Sequence, residues 1–88
     1  MAYVIVTYDV SEKRVNKVRK KLKEYLAWVQ NSVFEGEISD GKLDKCKNEL
    51  LKIINRNEDS IYFYEIRFKD NCGKNILGIE KDYDSNIL

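Results

Sequence analysis

Histidine is absent from this chain, and cysteine occurs only twice in its 88 residues. A structural zinc site usually draws four ligands from cysteine and histidine, so the composition excludes one in practice. The lack of histidine also excludes catalysis by Ser/His/Asp or Cys/His groups. Cys46 falls in an apolar helical stripe and is predicted to lie in the core, whereas Cys72 falls in a polar loop. A reducing compartment would disfavour a disulfide between them.

Long apolar segments are lacking as well. No run in the sequence approaches the roughly 20 residues that a helix needs to cross a bilayer. No basic region is followed by an apolar stretch and a small-residue cleavage site, so a signal peptide is not expected. The predicted location is therefore the cytoplasm.

The short length predicts one domain. We expect a single folded unit over residues 1–80 and a polar C-terminal tail over residues 81–88. A chain of this size buries a modest share of its surface and is only marginally stable alone. Dimerisation is one common remedy.

A large net charge and a Gly-rich phosphate loop are also missing. The net charge is only +1, which does not indicate a globally basic nucleic-acid binder. The distribution is more informative, because residues 12–24 hold seven basic and two acidic side chains and carry a charge of +5. The rest of the chain must then sum to −4. This asymmetry concentrates positive charge on one element.

Hydrophobic patterning predicts the secondary structure. Runs of β-branched and aromatic residues indicate strands over 3–8 and 60–68. Residues 27–38 read as extended, and we interpret them as two short strands that turn near Asn31-Ser32. Apolar spacings of three and four indicate a helix after an N-cap at Ser11 and a second one that starts at 39–41. A polar break at 55–59, a loop at 69–74 and a last strand at 75–80 complete the prediction.

The order βαββαβ with an extra C-terminal strand predicts an α+β, ferredoxin-like fold. Both helices would pack on one face of an antiparallel sheet, leaving the other face solvated in a monomer. The first strand and the strand over 60–68 are nevertheless apolar on both faces at their centres. Because the sequence offers no third helix, we expect a second copy of the sheet to cover that face, as a two-fold homodimer.

Asp9 is the first candidate for chemistry, since it ends a buried strand just before a helix. One carboxylate gives weak and poorly defined Mg²⁺ binding. In a two-fold dimer, two copies of Asp9 with phosphate oxygens and waters would make an octahedral site, where the metal activates water and neutralises phosphodiester charge. The alternative interpretation is a turn residue or an auxiliary helix cap.

The basic helix is the second candidate. Its cations would contact phosphates without reading sequence, and such binding weakens with salt. The candidate contacts are Arg14, Lys17, Arg19, Lys20 and Lys21. A solvated surface is the alternative interpretation, although a run of nearly one sign costs repulsion within the helix.

Aromatic residues are the third feature. Strand aromatics stack bases in ferredoxin-like RNA-binding sheets, but the signature of those proteins is absent here. Core packing or dimer contact is the favoured interpretation for the five residues Trp28, Phe34, Tyr62, Phe63 and Tyr64.

These motifs together resemble the small CRISPR-associated adaptation protein of the "Cas-two" family. The resemblance rests on residues 2–10 (AYVIVTYDV), the basic helix after them and residues 28–38 (WVQNSVFEGEI). The aromatic strand over 60–68 and residues 75–78 (NILG) extend it over nearly the whole chain. It implies a ferredoxin-like homodimer in which the last strand of each protomer adds to the partner's sheet.

The resemblance also implies a function and a set of site residues. Family members are described as metal-dependent endonucleases on single-stranded RNA or double-stranded DNA, and the dimer holds spacer DNA and bridges integrase subunits during spacer acquisition. The family aspartate, given by both protomers, matches Asp9, and the aromatic before it matches Tyr8. Three further matches are a helix arginine, either Arg14 or Arg19, the hydroxyl residue Ser32 and the phenylalanine Phe34. Many members have arginine where this chain has Trp28, which weakens the expectation of nuclease activity more than that of the structural role.

Three hypotheses follow. The first is a dimeric CRISPR adaptation subunit that binds double-stranded DNA, pairs with an integrase and cleaves phosphodiesters, with Mg²⁺ held by both copies of Asp9. The second is a toxin-type ribonuclease of the same fold. The third is a non-enzymatic dimeric regulatory module, because a fold alone does not fix function.

Overall fold

The structure is a computed structural model, and it describes residues 1–66. The predicted loop at 69–74, the predicted strand at 75–80, the predicted tail at 81–88 and Cys72 lie outside the described residues. The elements are β1 (Ala2–Asp9), α1 (Val15–Lys23), β2 (Ala27–Gln30), β3 (Val33–Ile38), α2 (Asp40–Leu51) and β4 (Ser60–Ile66).

The four strands form one antiparallel sheet in the order β2-β3-β1-β4. This is the order expected for the βαββαβ arrangement, so the predicted ferredoxin-like α+β fold is confirmed. The prediction of two strands in residues 27–38 is also confirmed. The turn between them contains Asn31 at a φ of +37°, a left-handed conformation that asparagine tolerates better than most residues.

Strand β1 lies between β3 and β4 and organises both faces of the sheet. Its alternate residues, Ala2 to Tyr8 in steps of two, are buried in one core with the inner residues of α1 and α2. On the opposite face, Tyr3, Ile5 and Thr7 remain only half-buried. We call this second side the outer face. In one chain, then, β1 is fully buried on the helix side alone.

Helix α1 starts later than the sequence predicts. The prediction of Ser11 as its N-cap is wrong, because the cap position is held by Arg14 and no side chain caps the helix there. Ser11 instead begins the preceding turn, and its carbonyl accepts hydrogen bonds from the amides of Arg14 and Val15, both at 2.9 Å. Since that turn already continues into the helix, the apolar stripe of α1 keeps the predicted face, with Val18 and Leu22 fully buried.

Helix α2 begins where the sequence predicts. The Ser39 hydroxyl accepts a hydrogen bond from the Lys42 amide at 3.3 Å, and Asp40 lies in the first turn. The predicted core position of Cys46 is confirmed, because its side chain is fully buried on this helix. Burial raises the pKa of the Cys46 thiol to about 12, so it stays protonated and unreactive at neutral pH.

Among residues 1–66, no helix is long and apolar enough to span a membrane.

Candidate functional site

Asp9 lies at the exposed end of the central strand. It is the last residue of β1 and pairs in register with Ser60, the first residue of β4. The alternation along the strand places Asp9 on the outer face, with Tyr3, Ile5 and Thr7. Its neighbour Tyr8 therefore belongs to the helix side, so the two adjacent candidates project to opposite faces of the sheet.

Residues 1–66 supply few ligands for a metal at this position. In the part of the chain that the structure describes, no group of three or more Asp, Glu, Cys or His residues is placed to hold an ion. Mg²⁺ is commonly held by one or two carboxylates together with waters and substrate phosphates. Asp9 fits that ligand set as one carboxylate.

Tyr8 links the strand to α1 and is 6% exposed. Its ring lies 6.1 Å from the ring of Phe34, measured between centroids. Its hydroxyl accepts a hydrogen bond at 3.1 Å from Nε of Arg19. The strand end also contacts the β2–β3 turn, because the Tyr8 amide donates to the carbonyl of Ser32 at 3.2 Å. Four of the predicted site residues, Tyr8, Arg19, Ser32 and Phe34, are thus brought together.

Arg14 lies in a different cluster, with Glu58 and Asp59. Its guanidinium Nε lies 2.6 Å from Oδ2 of Asp59, and its Nη2 lies 2.9 Å from Oε1 of Glu58. The Asp59 side chain is fully buried and also accepts from the amides of Ser11 and Asn55, at 3.0 and 2.9 Å. Hydrogen bonding to Arg14 holds the pKa of the Asp59 carboxyl well below its usual range.

This cluster distinguishes between Arg14 and Arg19, the two candidates for the family's helix arginine. Arg14 forms ion pairs with Glu58 and Asp59 of its own chain. Arg19 is exposed and forms no ion pair within residues 1–66. The geometry favours Arg19 as the arginine available to a ligand. The Asp59 cluster itself has no signal in the sequence beyond an acidic residue just before an apolar strand.

The lysines of α1 also differ in whether they form ion pairs within the chain. Lys21 is half-buried, and its Nζ lies 3.3 Å from a carboxylate oxygen of Glu24 and 3.4 Å from one of Glu49. Lys17 and Lys20 are exposed and have no ion pair in the described residues. One turn apart on the helix, they present two adjacent positive charges to solvent.

A second feature lies beside Tyr8, at the edge of the sheet. An open cavity of about 320 Å³ is lined by Arg19, Lys23, Trp28, Asn31 and Phe34. It joins two predicted site residues, Arg19 and Phe34, to Trp28, which is 55% exposed. Lys23 and Asn31 were not predicted as site residues, because only the fold brings Lys23 of α1 next to Trp28, and Asn31 was interpreted as part of the turn.

The sheet order, the acidic end of the central strand and the exposed cations of α1 define a small ferredoxin-like protein with a surface suited to anionic ligands. The family model for CRISPR associated protein Cas2 matches residues 1–73. The chain belongs to this family.

Similar proteins agree with the family match. CRISPR-associated endoribonuclease Cas2 3 of Thermodesulfovibrio yellowstonii is 61% identical over 88 residues, covering 100% of both chains. CRISPR-associated endoribonuclease Cas2 of Thermotoga maritima is 48% identical over 86 residues, covering 98% of this chain and 99% of that one.

Solved structures support the fold directly. A Cas2 crystal structure is 50% identical with a TM-score of 0.70, covering 73% of this chain and 72% of that chain. The structure of Streptococcus pyogenes Cas2 at pH 6.5 is 37% identical with a TM-score of 0.67, covering 78% and 88%. Family membership supports the CRISPR assignment in the first of the three hypotheses drawn from the sequence.

Proposed function

We propose that this protein is an endoribonuclease of CRISPR systems that works as a homodimer, with Asp9 of each protomer as the metal ligand at the two-fold axis. Two curated relatives that cover nearly the whole chain are named CRISPR-associated endoribonucleases. The observation that carries the proposal is the position of Asp9, exposed at the end of the central strand on the outer face of the sheet.

The outer face supports the homodimer. It carries six half-buried residues on β1 and β4: Tyr3, Ile5, Thr7, Tyr62, Tyr64 and Ile66. The rings of Tyr62 and Tyr64 stack on one another at 6.5 Å and form part of an apolar surface. A second copy packed on this surface would remove it from water, and two-fold symmetry would place the same residues on both sides of the contact. The ends of both β1 strands, and both copies of Asp9, then belong to one assembly.

The chemistry follows from that pairing. When bound, Mg²⁺ would neutralise charge on the phosphodiester and lower the pKa of a bound water. Asp9 from each protomer would hold the ion, and the exposed cations Arg19, Lys17 and Lys20 would bind the phosphates on either side. The buried ring of Tyr8 would orient Arg19 through the hydrogen bond to its hydroxyl.

The proposal extends to spacer acquisition. The resemblance implies that the dimer also binds double-stranded spacer DNA and bridges integrase subunits. In support, the solvent side of α1 presents Lys17 and Lys20, which suit phosphate contacts without sequence readout. The same lysines would contact the phosphates of either RNA or DNA, because both have a phosphodiester backbone.

Replacing Asp9 tests the hydrolytic part of the proposal. We expect Asp9→Asn to lower Mg²⁺-dependent RNA cleavage on the order of a hundredfold or more, since even the partners of metal ligands commonly contribute ten- to a hundredfold. The measurement is single-turnover cleavage of a labelled RNA against Mg²⁺ concentration. Asp44→Asn is the matched control, because Asp44 is exposed on α2. If the Asp9 variant cleaves at the wild-type rate with the same metal dependence, the site is assigned to the wrong residue.

A further inference from the structure

The cavity at the edge of the sheet has the shape and lining of a binding site for one aromatic group. Its volume of about 320 Å³ is at the lower end of the range for small-molecule pockets. Phe34, which is fully buried, forms its floor, and Trp28 forms an exposed wall. The two residues are paired in register on neighbouring strands, so their side chains lie on the same face of the sheet.

Trp28 is held in place before any ligand binds. Its indole Nε1 donates a hydrogen bond to the carbonyl of Asn31 at 2.9 Å, across the β2–β3 turn. This bond uses the edge of the indole, and more than half of the residue remains exposed. A large aromatic side chain that is both ordered and exposed can stack a planar group without a further cost for ordering the indole.

The charged residues of the cavity fit an anion next to that planar group. Arg19 is oriented by one hydrogen bond, from its Nε to the Tyr8 hydroxyl, and a guanidinium has four further N–H donors. Lys23 is the last residue of α1 and is exposed, one helical turn after Arg19. None of the residues that line the cavity in the described part of the chain is acidic. Two cations beside an aromatic wall are the combination that binds a phosphate and a base together.

We infer that this cavity is a subsite for one unpaired nucleotide, whose base stacks on Trp28 and whose phosphate is bound by Arg19 and Lys23. The inference rests on the proposed function for the class of ligand, and it deepens that function by placing one base of a single-stranded segment on Trp28. A base within a duplex is stacked on its neighbours and cannot offer its face to Trp28. A single strand, or a strand end that has come unpaired, can.

Fluorescence gives a direct test, because Trp28 is the chain's one tryptophan. The probes are a short single-stranded RNA, the single-stranded DNA of the same sequence and a blunt duplex, titrated into full-length protein carrying Asp9→Asn so that binding is separated from cleavage. We expect both single strands to quench the emission of Trp28 and the duplex to leave it nearly unchanged. Equal quenching by the duplex would overturn the inference, as would the absence of quenching by either single strand.

Substitutions give a second, independent readout, the anisotropy of a labelled single strand. We expect Trp28→Ala to weaken binding roughly tenfold, Trp28→Phe to keep most of the affinity, and Lys23→Ala to reduce the dependence on salt. Val29→Ala is the matched control for Trp28, since Val29 is 48% exposed on the same edge strand. Lys52→Ala, at an exposed position just after α2, is the control for Lys23.

The outcomes separate this inference from the proposed function. If Trp28→Ala binds single strands as tightly as the Val29→Ala control while cleavage still depends on Asp9, the subsite is wrong and the nuclease proposal stands. If Trp28→Ala instead lowers only self-association of the protein, the cavity is a contact between copies and the inference fails. If cleavage does not depend on Asp9 but quenching is seen, the nuclease site is wrong and the nucleotide subsite stands.

Discussion

Asp59 joins three connecting segments of this small domain through hydrogen bonds. Its carboxylate accepts hydrogen bonds from the turn before α1 at Ser11, from Arg14 at the start of α1 and from Asn55 in the α2–β4 connection. The side chain is fully buried, and the amides of Ser11 and Asn55 and Nε of Arg14 satisfy its oxygens. This network fixes the beginning of β4 next to the end of β1, where Asp9 lies.

We predict that Asp59→Ala destabilises the protein by about 1–3 kcal/mol, because it leaves partly buried donors without this acceptor. The measurement is the urea midpoint of unfolding at neutral pH. Glu58→Gln is the matched control, since Glu58 contacts the same guanidinium but is 59% exposed, and we expect it to change the midpoint little.

The same carboxylate makes stability depend on pH in a defined direction. Arg14 lowers the pKa of Asp59 in the folded state below its unfolded value of about 3.9. The stabilisation is therefore complete above the unfolded value and is lost as pH falls toward the lower folded value. The wild-type midpoint should fall on acidification below pH of about 4 more steeply than that of Asp59→Asn. Parallel curves for the two proteins would contradict this assignment.

At the scale of elements, side chains along β1 alternate between the two faces of the sheet. The neighbouring motif residues Tyr8 and Asp9 therefore lie on opposite faces. Tyr8 lies in the core and orients Arg19 through its hydroxyl, whereas Asp9 lies exposed on the outer face. Helix α1 is divided as well. Arg14 and Lys21 hold the chain's own carboxylates, and Lys17 and Lys20 face solvent.

We predict that the double substitution Lys17→Ala/Lys20→Ala weakens duplex DNA binding and makes it less sensitive to salt. Each phosphate contact removed should lower the slope of log affinity against log salt by about 0.9. The measurement is a duplex titration at several salt concentrations. The double variant Lys45→Ala/Lys52→Ala is the control for loss of net charge, since both lysines are exposed in and just after α2. Equal slopes for the two double variants would exclude the solvent side of α1 as the duplex contact.

Local patterns are sufficient to predict most of these elements. Strand β1 is a continuous β-branched and aromatic run, and the stripe on α2 follows a Ser39 cap. The start of α1 could not be predicted from the local pattern. Ser11 is a residue type that often caps helices, but here its carbonyl closes the turn that precedes α1. Contacts between distant parts of the chain carry no local signal. Arg14 and Asp59 are 45 residues apart, and the cavity joins α1 to the β2–β3 turn.

At the scale of the whole molecule, the proposed metal site takes one carboxylate from each of two chains. Asp9 is one carboxylate at the end of β1, and residues 1–66 place no cluster of metal ligands around it. The half-buried outer face, centred on Ile5 and Tyr64, suits a second copy. We therefore expect activity to be a property of two chains rather than of one.

Mixed dimers test this claim most directly. Wild-type and Asp9→Asn chains are co-refolded in equal amounts, and Mg²⁺-dependent cleavage is compared with wild type at the same total concentration. If both copies of Asp9 are required, the random mixture keeps about a quarter of the activity, because only dimers of two wild-type chains work. A second mixture uses the double variant Ile5→Lys/Asp9→Asn, whose lysine in the outer face should prevent pairing, and it should keep about half. Retention of half the activity in the first mixture would contradict the shared site.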